Sequence, residues 1–200
     1  MNRRVLTGFV LAATVLFGSP AWAATYKIDK DHTTVGFKIR HLFSKVQGRF
    51  DQFEGTIEYE PGKPETWKTE AVIQVASINT NVAKRDNHLR SKDFFDVEKF
   101  PTMAFKSTAV KGDQLEGVLS IHGVEKPVVL NLEVHGAGKD PWGNVRAGFT
   151  ATTKINRKDF GLTWNEIVEG GQVLVGEEVE ITLEVEGIEQ EAPKPAVSKS

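Results

Sequence analysis

The segment Val179–Glu186, VEITLEVE, places Val179, Ile181, Leu183 and Val185 on every second position and fills the positions between with Glu180, Thr182, Glu184 and Glu186. A period of two is that of a β-strand with one buried and one wet face, whereas an amphipathic helix repeats every 3.6 residues. The same alternation extends through most of the chain. Val35, Phe37 and Ile39 alternate with Gly36, Lys38 and Arg40, and Phe53, Gly55, Ile57 and Tyr59 alternate with Glu54, Thr56 and Glu58. Ala71, Ile73 and Val75 share a face, as do Met103 and Phe105, then Leu115, Leu119 and Ile121, then Val128, Leu130, Leu132 and Val134. Phe149 and Ala151 oppose Thr150 and Thr152. These segments predict antiparallel strands, each wet on one side.

The connections carry turn chemistry: Lys111-Gly112-Asp113, His122-Gly123, the HGAGKDPWGN stretch from His135 to Asn144, and Glu169-Gly170-Gly171. Strands joined so closely are hairpin neighbours. The expected fold is all-β, a lipocalin-like antiparallel barrel of about eight strands, since closure removes the unpaired edges of a one-faced sheet. A two-sheet sandwich is the alternative. Two segments break the alternation. In the first, Thr80 is placed to cap a short helix over Val82–Arg90; the second is Arg157–Ile167. One or two short helices at a barrel mouth are expected there.

An eight-stranded barrel is either plugged by its side chains or hollow enough for one small ligand. Ala71, Gly117, Ala147 and Ala151 fall on faces that otherwise carry large apolar residues. Such small residues either leave a cavity or make room for bulky neighbours such as Phe37, Phe105 or Phe149. At this level both readings stand.

The ends read differently. Arg3 and Arg4 precede an apolar run from Val5 to Phe17, and Ala21-Trp22-Ala23 offers small residues to a signal peptidase. The run falls short of the roughly 20 residues of a membrane helix. Residues 1–23 are therefore expected to be a cleaved secretory signal peptide, with Ala24 first in the mature chain, and the paired arginines leave a twin-arginine route as a lesser possibility. With no cysteine in the chain, lipid modification and disulfides are both ruled out, and a soluble periplasmic protein is expected. Residues 189–200, EQEAPKPAVSKS, lack periodicity and read as a disordered tail. The chain carries 25 basic and 27 acidic residues, and cleavage removes two of the arginines. This balance argues against nucleic acid as a partner.

Few residues suggest catalysis. The five histidines, His32, His41, His88, His122 and His135, lack the spacing of a zinc-binding helix. The mature segment holds no G-x-S-x-G elbow, and Gly136-Ala137-Gly138-Lys139 lies between strands, without the helix a phosphate loop requires. Asp86, Asp93, Asp96 and Asp159 sit among apolar or basic residues in the two non-strand segments. They are expected to pair with Arg85, Arg90 or Arg157 rather than to act as acids or bases.

The first of those segments, RDNHLRSKDFFDVEKFP from Arg85 to Pro101, closely resembles the signature of the YceI-like, polyisoprenoid-binding family of exported bacterial proteins. INRKDFGL from Ile155 to Leu162, VGEEVEI from Val175 to Ile181, Asp31-His32-Thr33 with Val35-Gly36-Phe37, and Gly123 to Pro127 agree with it. The resemblance covers the predicted domain, 24–188, and leaves the tail outside. It implies a barrel with an elongated apolar pore for an isoprenoid chain, favouring the hollow reading, and a binding protein that needs no cofactor or metal. The pore lining is then expected from Phe37, Ile39, Ile57, Ile73, Phe94, Phe95, Phe100, Met103, Phe105, Leu119, Leu132, Ala147, Phe149, Phe160, Trp164 and Ile181. Arg85, Arg90 and Lys92 are candidates for a polar head group such as a pyrophosphate, beside a structural role as a clamp with Asp86, Asp93 or Asp96. Isoprenyl phosphates, isoprenoid quinones and long-chain amides would all satisfy an apolar tube. Two alternatives remain: an enzyme acting on the lipid through Asp86, His88 or Asp159, and a periplasmic adaptor that uses the barrel as a scaffold.

Overall fold

The computed structural model describes residues 23–191. The predicted signal peptide and nearly all of the predicted tail lie outside the described residues. Among these residues the chain forms eleven strands: β1 (Ala24–Ile28), β2 (Thr34–His41), β3 (Ser44–Phe50), β4 (Phe53–Tyr59), β5 (Lys68–Gln74), β6 (Ile78–Asn79), β7 (Thr102–Lys111), β8 (Gln114–Ile121), β9 (Val124–Lys139), β10 (Val145–Asn156) and β11 (Val175–Glu189). One α-helix, α1 (Ala83–Arg90), follows β6, and short 3-10 turns occupy Pro64–Thr66, Val75–Ser77 and Arg157–Phe160.

All pairings are antiparallel, and the sheet closes because β11 pairs with the start of the chain. Tyr26 and Ile28 of β1 face Glu189 and Gly187, while Val35, Phe37 and Ile39 of β2 face Leu183, Ile181 and Val179. β1 and β2 are thus two halves of one long strand beside β11. Likewise β3 and β4 form the next, pairing with β2 and β1, and β5 and β6 the third. The result is an up-and-down barrel of eight staves, as the alternation predicts, with three staves broken part-way along.

The breaks lie opposite one another. At Asp51–Gln52 the freed backbone N–H groups donate to Ser77 O (3.2 Å) and Ser77 Oγ (3.0 Å) of the neighbouring 3-10 turn. At the break between β1 and β2, Asp29 N–H donates to Glu186 O (2.8 Å). Aligned interruptions bend adjacent strands together, which a closing sheet requires. Two features depart from expectation. Val75 belongs to the 3-10 turn rather than to a strand, although it is still buried, and Glu189 continues β11 one residue past the expected domain boundary. The expected HGAGKDPWGN turn is also shorter, because β9 runs to Lys139 and leaves Asp140–Asn144 as the connection.

One barrel end carries the connections at residues 60–67, 112–113 and 140–144. The other carries the Leu42–Phe43 turn, α1 and its following loop, the His122–Gly123 turn and the long β10–β11 connection. Thr80 does not cap α1. The N-cap position is Val82, and the Thr80 N–H (2.9 Å) and hydroxyl (2.5 Å) both donate to Asp86 Oδ1 in the first turn. The expected arginine–aspartate pairs are also replaced. Arg85 donates to Thr80 Oγ1 and O, and Arg90 donates through Nε to Ala76 O (2.7 Å) and through Nη2 to Ile78 O (2.8 Å). The broken third stave leaves backbone carbonyls without a ladder partner, and a long planar guanidinium reaches two of them at once.

On the outer face, Arg146 joins three acids: Asp29 (2.7 Å), Asp140 (2.8 Å) and Glu186 (2.5 Å). Asp29, Glu186 and His32 have ligand atoms close enough to hold a metal ion, but the Arg146 guanidinium already donates to both carboxylates. Hydrogen bonds from Arg146 are the main cause holding Asp29 and Asp140 below the ordinary carboxylate range. Carboxylates with depressed folded values contribute stability that is complete above their unfolded values, about 3.9 for aspartate, and lost as pH falls through the folded ones.

Arg146→Gln should lower Tm at pH 7, and its gap from wild type should narrow steadily as pH is lowered from about 5 toward 2; a gap independent of pH in thermal melts would refute the linkage. Arg90→Ala should cost roughly 2–4 kcal/mol in denaturant unfolding, since two charge-assisted hydrogen bonds are lost. Lys92→Ala, at an exposed position, should stay within about 0.5 kcal/mol of wild type.

Candidate functional site

Whether the inward side chains fill the barrel depends on where the small ones fall. Ala147 is fully buried against Tyr26, Ile28, Tyr59 and Phe149, and there makes room for aromatic rings. Gly117 lies under the Phe105 ring, and a Cβ at Gly48 would collide with Phe37. Ala71 and Ala151, in contrast, border open space. Both sequence readings are therefore realised, at different levels of the same barrel.

The open space is a cavity of about 370 Å³ running along the barrel, within the roughly 300–1,000 Å³ typical of small-molecule sites. At the end carrying the 60–67 connection it reaches Tyr59, Trp67 and Val110; at the other it reaches His88, Phe94 and Trp164. Its walls are predominantly apolar. Tyr59 packs edge-on against Phe149 (centroids 5.1 Å) and tilted against Trp67 (4.8 Å). At the opposite end His88, Phe94 and Trp164 form a three-ring cluster with centroid separations of 4.8–5.1 Å. These rings come from α1, the loop after it and the β10–β11 connection. His88 Nε2 lies 2.9 Å from Asp93 Oδ2, which fixes the imidazole orientation.

Most of the expected lining residues border this cavity: Phe37, Ile39, Ile57, Ile73, Phe94, Phe95, Met103, Phe105, Leu119, Leu132, Phe149, Phe160, Trp164 and Ile181. Two do not. Ala147 is enclosed in the packed cluster described above, and Phe100 lies outside the lining, tilted against His122 (centroids 4.2 Å) and over Gly123. Gly123 has φ of +74°, and a Cβ there would run into the Phe100 ring. Of the three head-group candidates, Arg85 borders the cavity but is engaged with Thr80, Arg90 is occupied by Ala76 and Ile78, and Lys92 is exposed away from it.

The sequence reading did not single out Tyr59, Trp67, Leu162 or Val35 as lining residues, although all four border the cavity. For Tyr59 and Val35 the alternation carried the signal, since each shares a face with a residue that was singled out. Trp67 and Leu162 lie outside any alternating run. The polar wall residue of most consequence, Arg157, was expected to form an ion pair. Instead its Nε donates to Gly176 O (2.8 Å) and its Nη1 to Leu162 O (2.5 Å). Burial pushes this guanidinium below its ordinary pKa.

The barrel has counterparts among known proteins. A family model described as the YceI-like domain matches residues 26–187. Protein YceI of Salmonella arizonae is 43% identical over 195 residues, covering 94% of this chain and 99% of that protein. The crystal structure of the Campylobacter jejuni YceI protein superposes with a TM-score of 0.65 at 36% identity, covering 82% of this chain and 96% of that one. A polyisoprenoid binding domain from Saccharophagus degradans, 15% identical, superposes with a TM-score of 0.64 over 84% of this chain and 99% of that one. With the family model spanning the whole barrel and a relative of such identity over nearly its full length, this chain belongs to the YceI-like domain family.

Proposed function

We propose that this protein binds a long isoprenoid-type lipid within its barrel and sequesters or carries it through the periplasm. The observation that carries the reading is the continuous apolar cavity, bounded by aromatic rings at both ends and lined from every stave. Burying each methylene contributes about 0.8 kcal/mol before ordering costs, so an isoprenoid tail gains affinity from length alone, with few polar contacts. The description of the Saccharophagus degradans structure as a polyisoprenoid binding domain supports the same ligand class.

The protein acts by holding its ligand rather than by transforming it. Asp86, the buried carboxylate at the α1 end, accepts two hydrogen bonds from Thr80, and His88 is tied to Asp93. The periplasmic location rests on the leader-like segment Arg3–Ala23. Among the described residues no helix is long and apolar enough to cross a membrane.

Mass spectrometry of protein purified from its exporting host should find an isoprenoid-type lipid; protein that copurifies with none, and binds none added, would refute the reading. Ala151 is inward, between Leu132 and Leu183 of the adjacent strands, and borders the cavity. Ala151→Trp should reduce lipid occupancy about tenfold or more while keeping a cooperative thermal transition, whereas a packed core would be destabilised by roughly 1–3 kcal/mol. Thr152→Trp, on the outer face one residue on, should bind as wild type does. Intact mass of the exported form should correspond to a chain beginning at Ala24, and a mass retaining residues 1–23 would overturn the location.

A further inference from the structure

Arg157 stands at the start of the 3-10 turn after β10, at the barrel end closed by α1. It is 3% exposed and borders the cavity. Two of its nitrogens hold the β10–β11 connection through Gly176 O and Leu162 O. The third, Nη2, is buried without any hydrogen-bond partner, and among the described residues no other buried side-chain nitrogen or oxygen is left so.

Among the described residues no carboxylate is hydrogen-bonded to this guanidinium. Glu177, whose field reaches Arg157, is engaged by Lys158 (2.5 Å) and Asn156. Asp86 is occupied by Thr80. Two other arginines at this end, Arg85 and Arg90, donate to Thr80, Ala76 and Ile78. An unpaired buried cation is costly, and proteins normally meet it with an opposite charge. The acceptor that Nη2 lacks can come from what occupies the cavity that Arg157 borders.

We propose that Arg157 Nη2 is the head-group contact of this barrel, donating to an anionic oxygen of a phosphate-type group while the tail lies along the apolar tube. The assignment rests on the lipid-carrier reading and adds to it a ligand charge and an orientation, with the polar end beneath His88, Phe94 and Trp164. A neutral quinone or amide would give Nη2 an acceptor but would leave the buried charge unmet. Charge-assisted hydrogen bonds are the stronger kind, so discrimination should favour the anion.

The test compares geranylgeranyl phosphate with geranylgeraniol on protein stripped of copurifying lipid, by quenching of tryptophan fluorescence. Wild type should bind the phosphate about tenfold or more tightly than the alcohol. Arg157→Gln should bring the two affinities within about threefold of each other. Because Arg157 also anchors two backbone carbonyls, a readout on wild type accompanies it. In arginine-selective 15N NMR, the buried guanidinium, assigned by its loss in Arg157→Lys, should shift on addition of the phosphate and not of the alcohol. Equal binding of the two ligands by wild type, or an unmoved Arg157 resonance on phosphate binding, overturns the assignment and leaves the lipid-carrier reading standing. Failure of both ligands to bind overturns both.

Discussion

The pairing of β11 with β1 and β2 is the constraint on which the rest of the structure depends. Without it the chain would be an open sheet with one apolar face exposed and two unpaired edges, the arrangement most prone to association. β11 satisfies β10 on one side along almost its whole length and β1 with β2 on the other. The inward rows of Val179, Ile181, Leu183 and Val185 then face a closed interior rather than a second sheet. A sandwich would have supplied apposed faces about 10 Å apart with nothing between them but side chains. Closure instead creates an axis, and space along it.

What keeps that space from being filled is the distribution of bulk among levels. Gly48 and Gly117 let the rings of Phe37 and Phe105 settle against the wall, and Ala147 does the same for the aromatic cluster at one end. Ala71 and Ala151 border the cavity instead, which runs past both. The two ends are lined by different chemistry. Tyr59, Trp67 and Phe149 come from strands and a short connection, whereas His88, Phe94 and Trp164 come from the two segments that escape the barrel pattern. An end built from connections rather than staves can rearrange without breaking the sheet, which suits it to admitting a ligand.

Polar groups are concentrated where the regular ladder stops. The broken third stave exposes carbonyls that Arg90 takes up, and the residues just past β6 bind α1 through Thr80 and Asp86. The charged half of the Arg85–Pro101 stretch is thus a backbone-satisfying brace, and its apolar half supplies Phe94 and Phe95 to the cavity. Salt and apolar residues adjoin in the sequence because the chain passes there from the barrel rim to its interior.

By itself the sequence determined the all-β class, the inward parity of nearly every strand, the hairpin connections and most of the apolar lining, because a period of two is a local property that any strand carries with it. The family followed from short motifs at the two non-strand segments. Tertiary structure decided the rest. Ala147 and Ala151 share parity and size and are both buried, yet only Ala151 borders the cavity, since that depends on which residues of distant strands lie at the same level. Arg90 found carbonyls rather than an aspartate because the break at Val75–Ser77 leaves acceptors that no local pattern announces. Phe100 turned to His122 and Gly123 from a neighbouring hairpin. Arg157 reads in sequence as one basic residue among several; that its guanidinium is buried on two backbone carbonyls, with Glu177 engaged by Lys158, is a result of register and closure that only the folded chain can set.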